Sequence, residues 1–418
     1  MFGKVKIFSG GVLLSGILCL IMLAVWTTVA VSAEKTPVTR YWMSVSTEKS
    51  GFPGMPSGSM GGGGMSGTGI PGIGSMFGGS GGSSGKRLQL QVNSPKSPPA
   101  GPQATHDIPS GQNMGPTLPL VTPDQGRATR SEPGERPEKM EKVEKPKMRM
   151  LVYWGCSETV KPGQPFVLDT EKANAAEFAR AFQGRTVSVQ NAPSPRPGWA
   201  YADWPNKVDG KQVPQNSSLV GSHFVHGNYL PDIRFSIDDG HDFMAPVEFT
   251  LTKGTPAESF NFQWNSISTA TGYFATAMGH DDKTGTMIIW SSSEVREAGG
   301  SLMSFLSDED VRKLVKERVV MPPSTTQCTI PRGIFKDAQG AVIQFIAYGD
   351  ELNIVYPAKP KDPIWAVKVR RKSTSMLPMM EMAGRAPSDR ESRDQAPSPE
   401  KKEGIITPGK VLKGLLGF

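Results

Sequence analysis

The uneven distribution of glycine and proline constrains this chain more than any other feature of its sequence. Sixteen glycines fall within residues 51–85, and eleven prolines fall within residues 95–146. Such stretches bury too little apolar surface to offset the entropy that an ordered chain loses. We therefore expect a compact fold over about residues 149–376, and we exclude a single 418-residue globule, a repeat solenoid and a polytopic membrane protein.

The first 33 residues have the pattern of a leader for export. Lys4 and Lys6 precede an apolar run over residues 11–31, and small residues lead up to Ala33. This order is typical of a cleavable signal peptide over residues 1–33. Because ~20 apolar residues suffice to span a bilayer, an uncleaved anchor is the alternative. We expect a secreted or periplasmic protein, either free or anchored through this leader.

Charge and composition bear on the partners. The formal net charge of +7 falls to about +5 without the two leader lysines. No cluster of Lys and Arg with interleaved aromatics is present, so we predict no nucleic-acid partner. The expected partner is a protein or a polymer of the cell envelope. The tail over residues 377–418 is predicted to be disordered, with an amphipathic end suited to membrane-surface contact. The apolar side of that end carries Val411, Leu412, Leu415 and Phe418.

Two short alternating segments flank the glycine-rich tract. Tyr41, Met43 and Val45 alternate with other side chains within residues 40–46, and the same pattern recurs over residues 87–92. Period-two alternation is typical of half-buried strands. We therefore predict that residues 34–148 are mostly disordered, apart from these two strands paired around the glycine-rich loop. Residues 94–148 are predicted to be a solvated spacer.

The remaining sequence predicts a mainly β fold, an antiparallel β-sandwich with a few short helices. Residues 149–240 are expected to form a β-rich domain with one helix after Asp169. Residues 241–376 follow as a sandwich of short strands separated by turns. Its helical insertion over about 305–318 starts with the capping sequence Ser307-Asp308-Glu309-Asp310.

Two resemblances accompany this pattern. Phe260–Trp264, the step Ala270-Thr271-Gly272-Tyr273 and the apolar strand after it are similar to the B and C strands of a fibronectin type III domain, over about residues 245–293. That resemblance implies a binding or spacing module. Separately, Tyr153-Trp154-Gly155-Cys156 and Trp290-Ser291-Ser292-Ser293-Glu294 resemble segments of uncharacterised exported bacterial proteins, which have no assigned function.

Histidine is scarce, and two of the five histidines define a candidate metal site. His241-Asp242 and His280-Asp281 each follow a glycine in a turn-like sequence. Imidazole and carboxylate groups would bind zinc or another divalent ion if both turns lay at one end of the sandwich. Ordinary polar turns are the alternative, because Asp and Gly favour turns for local reasons. His223 and His226 are predicted to point to opposite faces of a strand.

Aromatic residues and cysteines give two further candidates. Trp199, Tyr201 and Trp204 lie in a Pro- and Asp-rich segment, where they would either stack on a carbohydrate or peptide or pin an irregular loop to the core. Cys156 and Cys328 would form a disulfide in an oxidising compartment, or remain two buried thiols. We predict no catalytic set and no cofactor.

These features favour an exported envelope protein that acts as a non-enzymatic binding or spacing module. Two alternatives stay open at the level of sequence. One is a secreted metal-assisted hydrolase that uses the His241 and His280 turns. The other is a membrane-anchored assembly factor that retains its leader.

Overall fold

A computed structural model of the chain describes residues 38–50, 84–123, 149–169, 172, 190–297, 299–338, 340–358 and 362–379. These residues form a mainly β protein, as the sequence predicts. The predicted helix after Asp169, the end of the C-terminal tail and the leader lie outside the described residues. Among the described helices, none is long and apolar enough to cross a membrane.

Sixteen strands carry the fold, with one α-helix and three short 3₁₀ turns between them in the described residues. The strands are β1 Thr39–Ser50, β2 Gly85–Ser94, β3 Ala104–Asp107, β4 Thr117–Leu120, β5 Arg149–Trp154, β6 Phe166–Asp169, β7 Ala200–Trp204, β8 Gly221–Gly227, β9 Ile233–Ile237, β10 Phe249–Lys253, β11 Phe260–Trp264, β12 Ala270–Asp281, β13 Thr286–Ser291, β14 Gln327–Ile330, β15 Ala341–Tyr356 and β16 Trp365–Met379. The helix α1 spans Asp308–Lys316, and the 3₁₀ turns span Ser110–Gln112, Asp239–His241 and Gly300–Met303.

Nine strands form the main sheet, in the order β6-β5-β13-β12-β15-β16-β1-β2-β7. Two of its eight strand contacts are parallel, β1 with β16 and β13 with β5. The sheet is therefore mixed, whereas the sequence predicts an antiparallel one. The smaller sheets, β10-β11-β14 and β4-β3-β8-β9, are antiparallel throughout.

The strands that flank the glycine-rich tract pair with each other and also join the main sheet. β1 and β2 are antiparallel, with Tyr41 opposite Val92 and Val45 opposite Leu88. Their alternating apolar side chains are buried on one face, which is the arrangement that period-two alternation favours. β16 and β7 continue the sheet on either side of this pair.

One face of the main sheet, here the inner face, packs against both smaller sheets. Around β1, β2 and β16 it forms a core with the four-stranded sheet, and around β12, β13 and β15 it forms a second core with the three-stranded sheet. β16 takes part in both cores through the odd-numbered residues Trp365, Val367, Val369, Arg371, Ser373, Ser375, Leu377 and Met379. The two apolar ends of this row enter different cores, and its middle is polar.

The polar middle of that row is satisfied by the segment that connects the two smaller sheets. The Arg371 guanidinium donates to the Asp242 carbonyl at 2.9 Å, and the Ser373 hydroxyl accepts from the Val247 amide at 3.2 Å. The Thr47 hydroxyl donates to the Met244 carbonyl at 2.8 Å. These bonds satisfy polar groups that burial would otherwise leave without partners.

The opposite face, here the outer face, is covered in part by α1. Phe274, Ile346 and Tyr348 project from β12 and β15 into a core with the apolar side of the helix. Ser307 caps the helix, since its hydroxyl accepts from the Asp310 amide at 3.1 Å. The capping sequence therefore predicts this helix and its start correctly.

Two features differ from the predicted organisation. Residues 104–120, which the sequence places in a spacer, form β3, β4 and a 3₁₀ turn, because Leu118 and Leu120 are buried in the first core. The segments predicted as separate domains, 149–240 and 241–376, both contribute strands to the main sheet, and the described residues fall in one compact unit. β16 crosses the predicted end of the second of these segments, since it runs beyond residue 376 to Met379.

Candidate functional site

The two histidine turns proposed as a metal site are far apart. His241 lies in a 3₁₀ turn, where its Nδ1 is 2.7 Å from Asp238 Oδ1 and its Nε2 is 3.7 Å from Asp350 Oδ2. Asp350 follows Gly349, which pairs with the first residue of β12, whereas His280 is ten residues further along that strand. At about 3.3 Å per residue this separates the turns by roughly 33 Å.

Each of these turns uses its polar groups locally. The carboxylate of Asp242 accepts from the Ser218 hydroxyl at 2.6 Å and from the Leu219 amide at 2.7 Å. His280 bonds Asp282 at 2.6 Å, and Asp281 accepts from the Thr284 hydroxyl at 2.6 Å, which lowers the pKa of Asp281. Among the described residues, no group of three His, Cys, Asp or Glu side chains could hold a metal ion.

The three aromatic residues proposed as a stacking surface are separated by the pleat of β7. Trp204 is buried in the first core on the inner face, and Tyr201 is buried on the outer face, where its hydroxyl donates to Asp203 at 3.1 Å. Only Trp199, just before the strand, stays partly exposed, with the Arg196 guanidinium 5.6 Å from its ring centroid. Two of the three aromatics therefore pin this segment to the fold.

Cys156 and Cys328 are joined by a disulfide, with their Cα atoms 5.1 Å apart. Cys156 follows β5 at one side of the main sheet, and Cys328 lies in β14 of the three-stranded sheet. The bond therefore ties the main sheet to the smaller sheet that covers it.

A buried chain of three polar side chains crosses the first core. The Tyr41 hydroxyl is 2.8 Å from His106 Nδ1, and His106 Nε2 is 2.9 Å from His223 Nδ1. His223 Nε2 lies 2.7 Å from the Leu219 carbonyl oxygen. Because a carbonyl only accepts, His223 Nε2 carries hydrogen, His106 Nε2 donates to His223, and Tyr41 donates to His106.

This assignment gives each imidazole one proton and leaves both rings neutral. Burial lowers the pKa of His106 well below its usual value, and His223 lowers it further. Burial also lowers the pKa of His223, while it raises the pKa of Tyr41 well above its usual value. As predicted, His223 and His226 point to opposite faces of β8. His226 faces outward, 3.3 Å from the Asp107 carboxylate.

A row of three cations lies on the outer face of β16 and is the most distinctive surface feature of the described residues. Lys368, Arg370 and Lys372, here the cationic ladder, alternate with the buried residues of the inner face. Side chains at every second strand position are about 6.7 Å apart, so the three charges repel one another. All three are partly buried.

Arg370 occupies the centre of the ladder between two aromatic rings. Its guanidinium lies 5.1 Å from the Trp42 ring centroid and 4.4 Å from that of Phe305. Its Nε donates to the Ser44 hydroxyl at 2.8 Å, and its Nη1 donates to the Gln190 carbonyl at 2.7 Å. Nη2 has no hydrogen-bond acceptor within the part of the chain that the structure describes. Burial lowers the pKa of Arg370 to about 10, and Glu351 partly opposes this shift.

The neighbouring lysines are held by different contacts. Lys368 pairs with the Glu351 carboxylate at 3.0 Å, and its ammonium lies 5.3 Å from the Trp42 ring centroid. Lys372 donates to the Met303 carbonyl at 3.3 Å and lies 4.8 Å from the Phe305 ring. Burial lowers the pKa of Lys372.

Carboxylates border the ladder, and one of them, Glu351, neutralises Lys368. Lys368–Glu351 is the one ion pair that a ladder member makes with another described residue. Glu48 attracts Lys372 at longer range, but it is also paired with Arg87. Burial raises the pKa of Asp308, the first residue of α1, whose carboxylate attracts both Arg312 and Lys368. The arrangement is a partly buried row of cations with aromatic rings at its sides.

Sequence reasoning missed both this ladder and the buried histidine chain. In the sequence, Lys368 and Arg370 alternate with Val367 and Val369. Such alternation is typical of a strand with one face in solvent, so it does not indicate a binding site. Its aromatic partners, Trp42 and Phe305, are distant in sequence. The comparisons add no relative, since no family model, no curated protein and no solved structure matches this chain.

Proposed function

We propose that this chain is an exported, non-enzymatic binding protein of the cell envelope, and that the cationic ladder binds an anionic group of its ligand. The leader pattern of residues 1–33 supports export. The resemblance of residues 245–293 to a binding or spacing module supports binding. The observation that carries the proposal is Arg370, held between Trp42 and Phe305 with a lysine on either side.

The chemistry of Arg370 favours a carboxylate or phosphate oxyanion. Its planar guanidinium donates hydrogen bonds in a fork that matches such groups, and Nη2 has no acceptor among the described residues. Lys372 adds positive charge, whereas Lys368 is paired with Glu351, and neither lysine blocks that nitrogen. Burial of the three cations costs hydration free energy, which an incoming anion offsets.

Calorimetric titration of the full-length chain in mild detergent tests this proposal. The probes are inorganic phosphate and an oligogalacturonate, which separate a phosphate ligand from a carboxylate polymer. We expect one of them to bind to the wild type. We expect Arg370→Gln to weaken that binding roughly 10- to 100-fold, the range for loss of a hydrogen bond to a charged group.

Arg234→Gln is the matched control. Its guanidinium also lies over an aromatic ring, 3.4 Å from the Phe224 centroid, but on the exposed surface of the four-stranded sheet. This variant should bind as the wild type does. The proposal is contradicted if neither anion binds, or if the two variants bind equally well while both retain the wild-type melting temperature.

A further inference from the structure

One end of the main sheet combines exposed cations with exposed apolar side chains. β1 and β16 begin at this end, with Thr39 opposite Trp365, and β2 and β15 finish there. The Thr39 amide donates to the Ile364 carbonyl at 3.2 Å, and the Ala200 amide donates to the Lys96 carbonyl at 2.9 Å. The loops that meet here come from distant parts of the sequence.

The tip of the β15–β16 hairpin is the apolar part of this end. Val355, Tyr356 and Ile364 are 40%, 52% and 52% exposed, and they are half of the large exposed apolar side chains in the described structure. The others, Val167, Val208 and Leu251, lie on separate elements. The Tyr356 ring stacks on the buried Trp365 ring at 5.2 Å, which fixes its orientation. Val355 and Tyr356 point to opposite faces of β15, so exposed apolar side chains flank this end of the hairpin on both faces of the sheet.

Cations accompany this tip. The exposed cationic residues at this end include Arg40, Lys96 and Arg196. Asp362 is an exposed acidic residue there, and so is Asp232, in the β8–β9 turn whose Tyr229 carbonyl accepts from Ser94. Trp199 lies under Arg196 and is partly exposed. We name this surface, consisting of the three cations, Trp199 and the three apolar residues of the hairpin, the basic end. Aromatic and basic side chains around an apolar tip suit the headgroup region of a bilayer, and the cations favour anionic lipids.

The path of the chain gives a second, independent reason to expect a membrane at this end. Thr39, where β1 begins, is eight residues after Val31, the last residue of the apolar run over 11–31. At no more than ~3.6 Å per residue, eight residues span at most about 29 Å. If the run crosses a bilayer, the basic end is the part of the fold nearest to the membrane surface, because β1 enters the fold there.

We propose that the basic end docks on the surface of a bilayer that contains anionic lipids, with Val355, Tyr356 and Ile364 at headgroup depth. This surface differs from the cationic ladder, which lies further along β16 on the outer face of the sheet. The proposal does not depend on the ligand-binding function, and either can fail without the other.

Depth-dependent quenching in the full-length chain tests this proposal. A single cysteine, Tyr356→Cys in a Cys19→Ser background, is labelled with an environment-sensitive dye. The labelled chain is reconstituted into phosphatidylcholine vesicles with or without phosphatidylglycerol. We expect spin-labelled lipids to quench the dye in the anionic vesicles, and less so in neutral vesicles or at 1 M salt.

Two matched labels and one charge variant sharpen the test. Val208→Cys and Leu251→Cys replace side chains that are 71% and 42% exposed away from this end, so their dyes should stay unquenched. Lys96→Gln combined with Arg196→Gln should lower the docked-to-undocked ratio about fivefold for each cation. Equal quenching at all three positions, or equal quenching in anionic and neutral vesicles, would overturn the proposal.

Discussion

The hydrogen-bonded chain through Tyr41, His106 and His223 is a set of titratable groups held neutral inside an apolar core. Phe235 stacks on His223 with ring centroids 4.9 Å apart, and the Leu219 carbonyl ends the chain. A second proton on His223 would place two donors at its contact with His106, and a second proton on His106 would require the Tyr41 hydroxyl to turn and accept. Either proton would place a charge in the core. These effects are costly in a low-dielectric interior.

Because of this buried hydrogen-bonded chain, we expect the stability of the fold to decrease in acid. Both imidazoles have lowered pKa values when folded, so below about pH 6.5 the unfolded chain binds more protons and stability falls. Above that pH the two histidines should not reduce the free energy of unfolding. As the pH decreases toward their folded pKa values, the free energy of unfolding should fall by up to about 1.4 kcal/mol per pH unit for each histidine. Urea unfolding measured from pH 7.5 to pH 5 gives this slope.

Paired variants separate the two buried histidines from the rest of the molecule. The double variant His106→Phe, His223→Phe should flatten the pH dependence, whatever its absolute stability. His226→Phe is the matched control, because it removes an imidazole from the outer surface of the same sheet and leaves the buried hydrogen-bonded chain intact. An equal slope in the double variant and the wild type would contradict this account of the acid sensitivity.

At the scale of the elements, the bulge in β15 lets one strand take part in both cores. The register of β15 against β16 shifts between Tyr348 and Glu351, so the inner face is lined by odd residues before the shift and by even residues after it. Gly349 lies at this shift, where a Cβ atom would be 2.7 Å from Met244 Sδ and 3.0 Å from Arg371 Cβ.

Gly349→Ala should therefore destabilise the fold, by about 1–3 kcal/mol, the usual range for overpacking a filled interior. Gly340→Ala is the matched control, because Gly340 immediately precedes β15 and a Cβ there meets nothing within 4 Å. Denaturant unfolding of both variants measures the difference. Equal stabilities of the two variants would show that the site at the bulge can relax around a methyl group.

The start of α1 is a second element that bears on the candidate site, because Phe305 precedes it and Asp308 opens it beside the ladder. Ser307→Ala should lower the stability of the helix by about 1 kcal/mol, since the Asp310 amide loses its acceptor. Amide hydrogen exchange in α1 should accelerate accordingly. The nearby exposed Ser304, replaced by Ala, should leave the exchange unchanged.

At the scale of the whole molecule, the disulfide spans 172 residues of sequence and joins the two sheets of the second core. The loop-closure model gives a stabilisation of about 5 kcal/mol for so long a loop, and measured values are often lower. The double variant Cys156→Ser, Cys328→Ser should therefore unfold at clearly lower guanidinium concentration, and reductant should affect only the wild type. Cys19→Ser is the control, and its unfolding midpoint should equal that of the wild type.

Sequence patterns predicted local structure well and spatial neighbours poorly. Alternation identified β1, β2, the aromatic strand β11 and the first half of β16, and the capping sequence located α1. The strands within 104–120 were missed because their four-residue length and the prolines around them resemble a spacer. The metal site failed as an expectation because it assumed that two similar turns share one end of the fold.

The sequence by itself indicated which side chains are buried along alternating strands such as β1 and β2, because a period of two residues is a local property of an extended chain. Only the tertiary structure decided which strands are neighbours. β1 and β16 lie side by side although 326 residues separate Thr39 from Trp365, and this contact brings Trp42 to Arg370. Strand order depends on how all the apolar faces are covered together, so the cationic ladder, the buried histidine chain and the basic end arise only when the whole sheet is assembled.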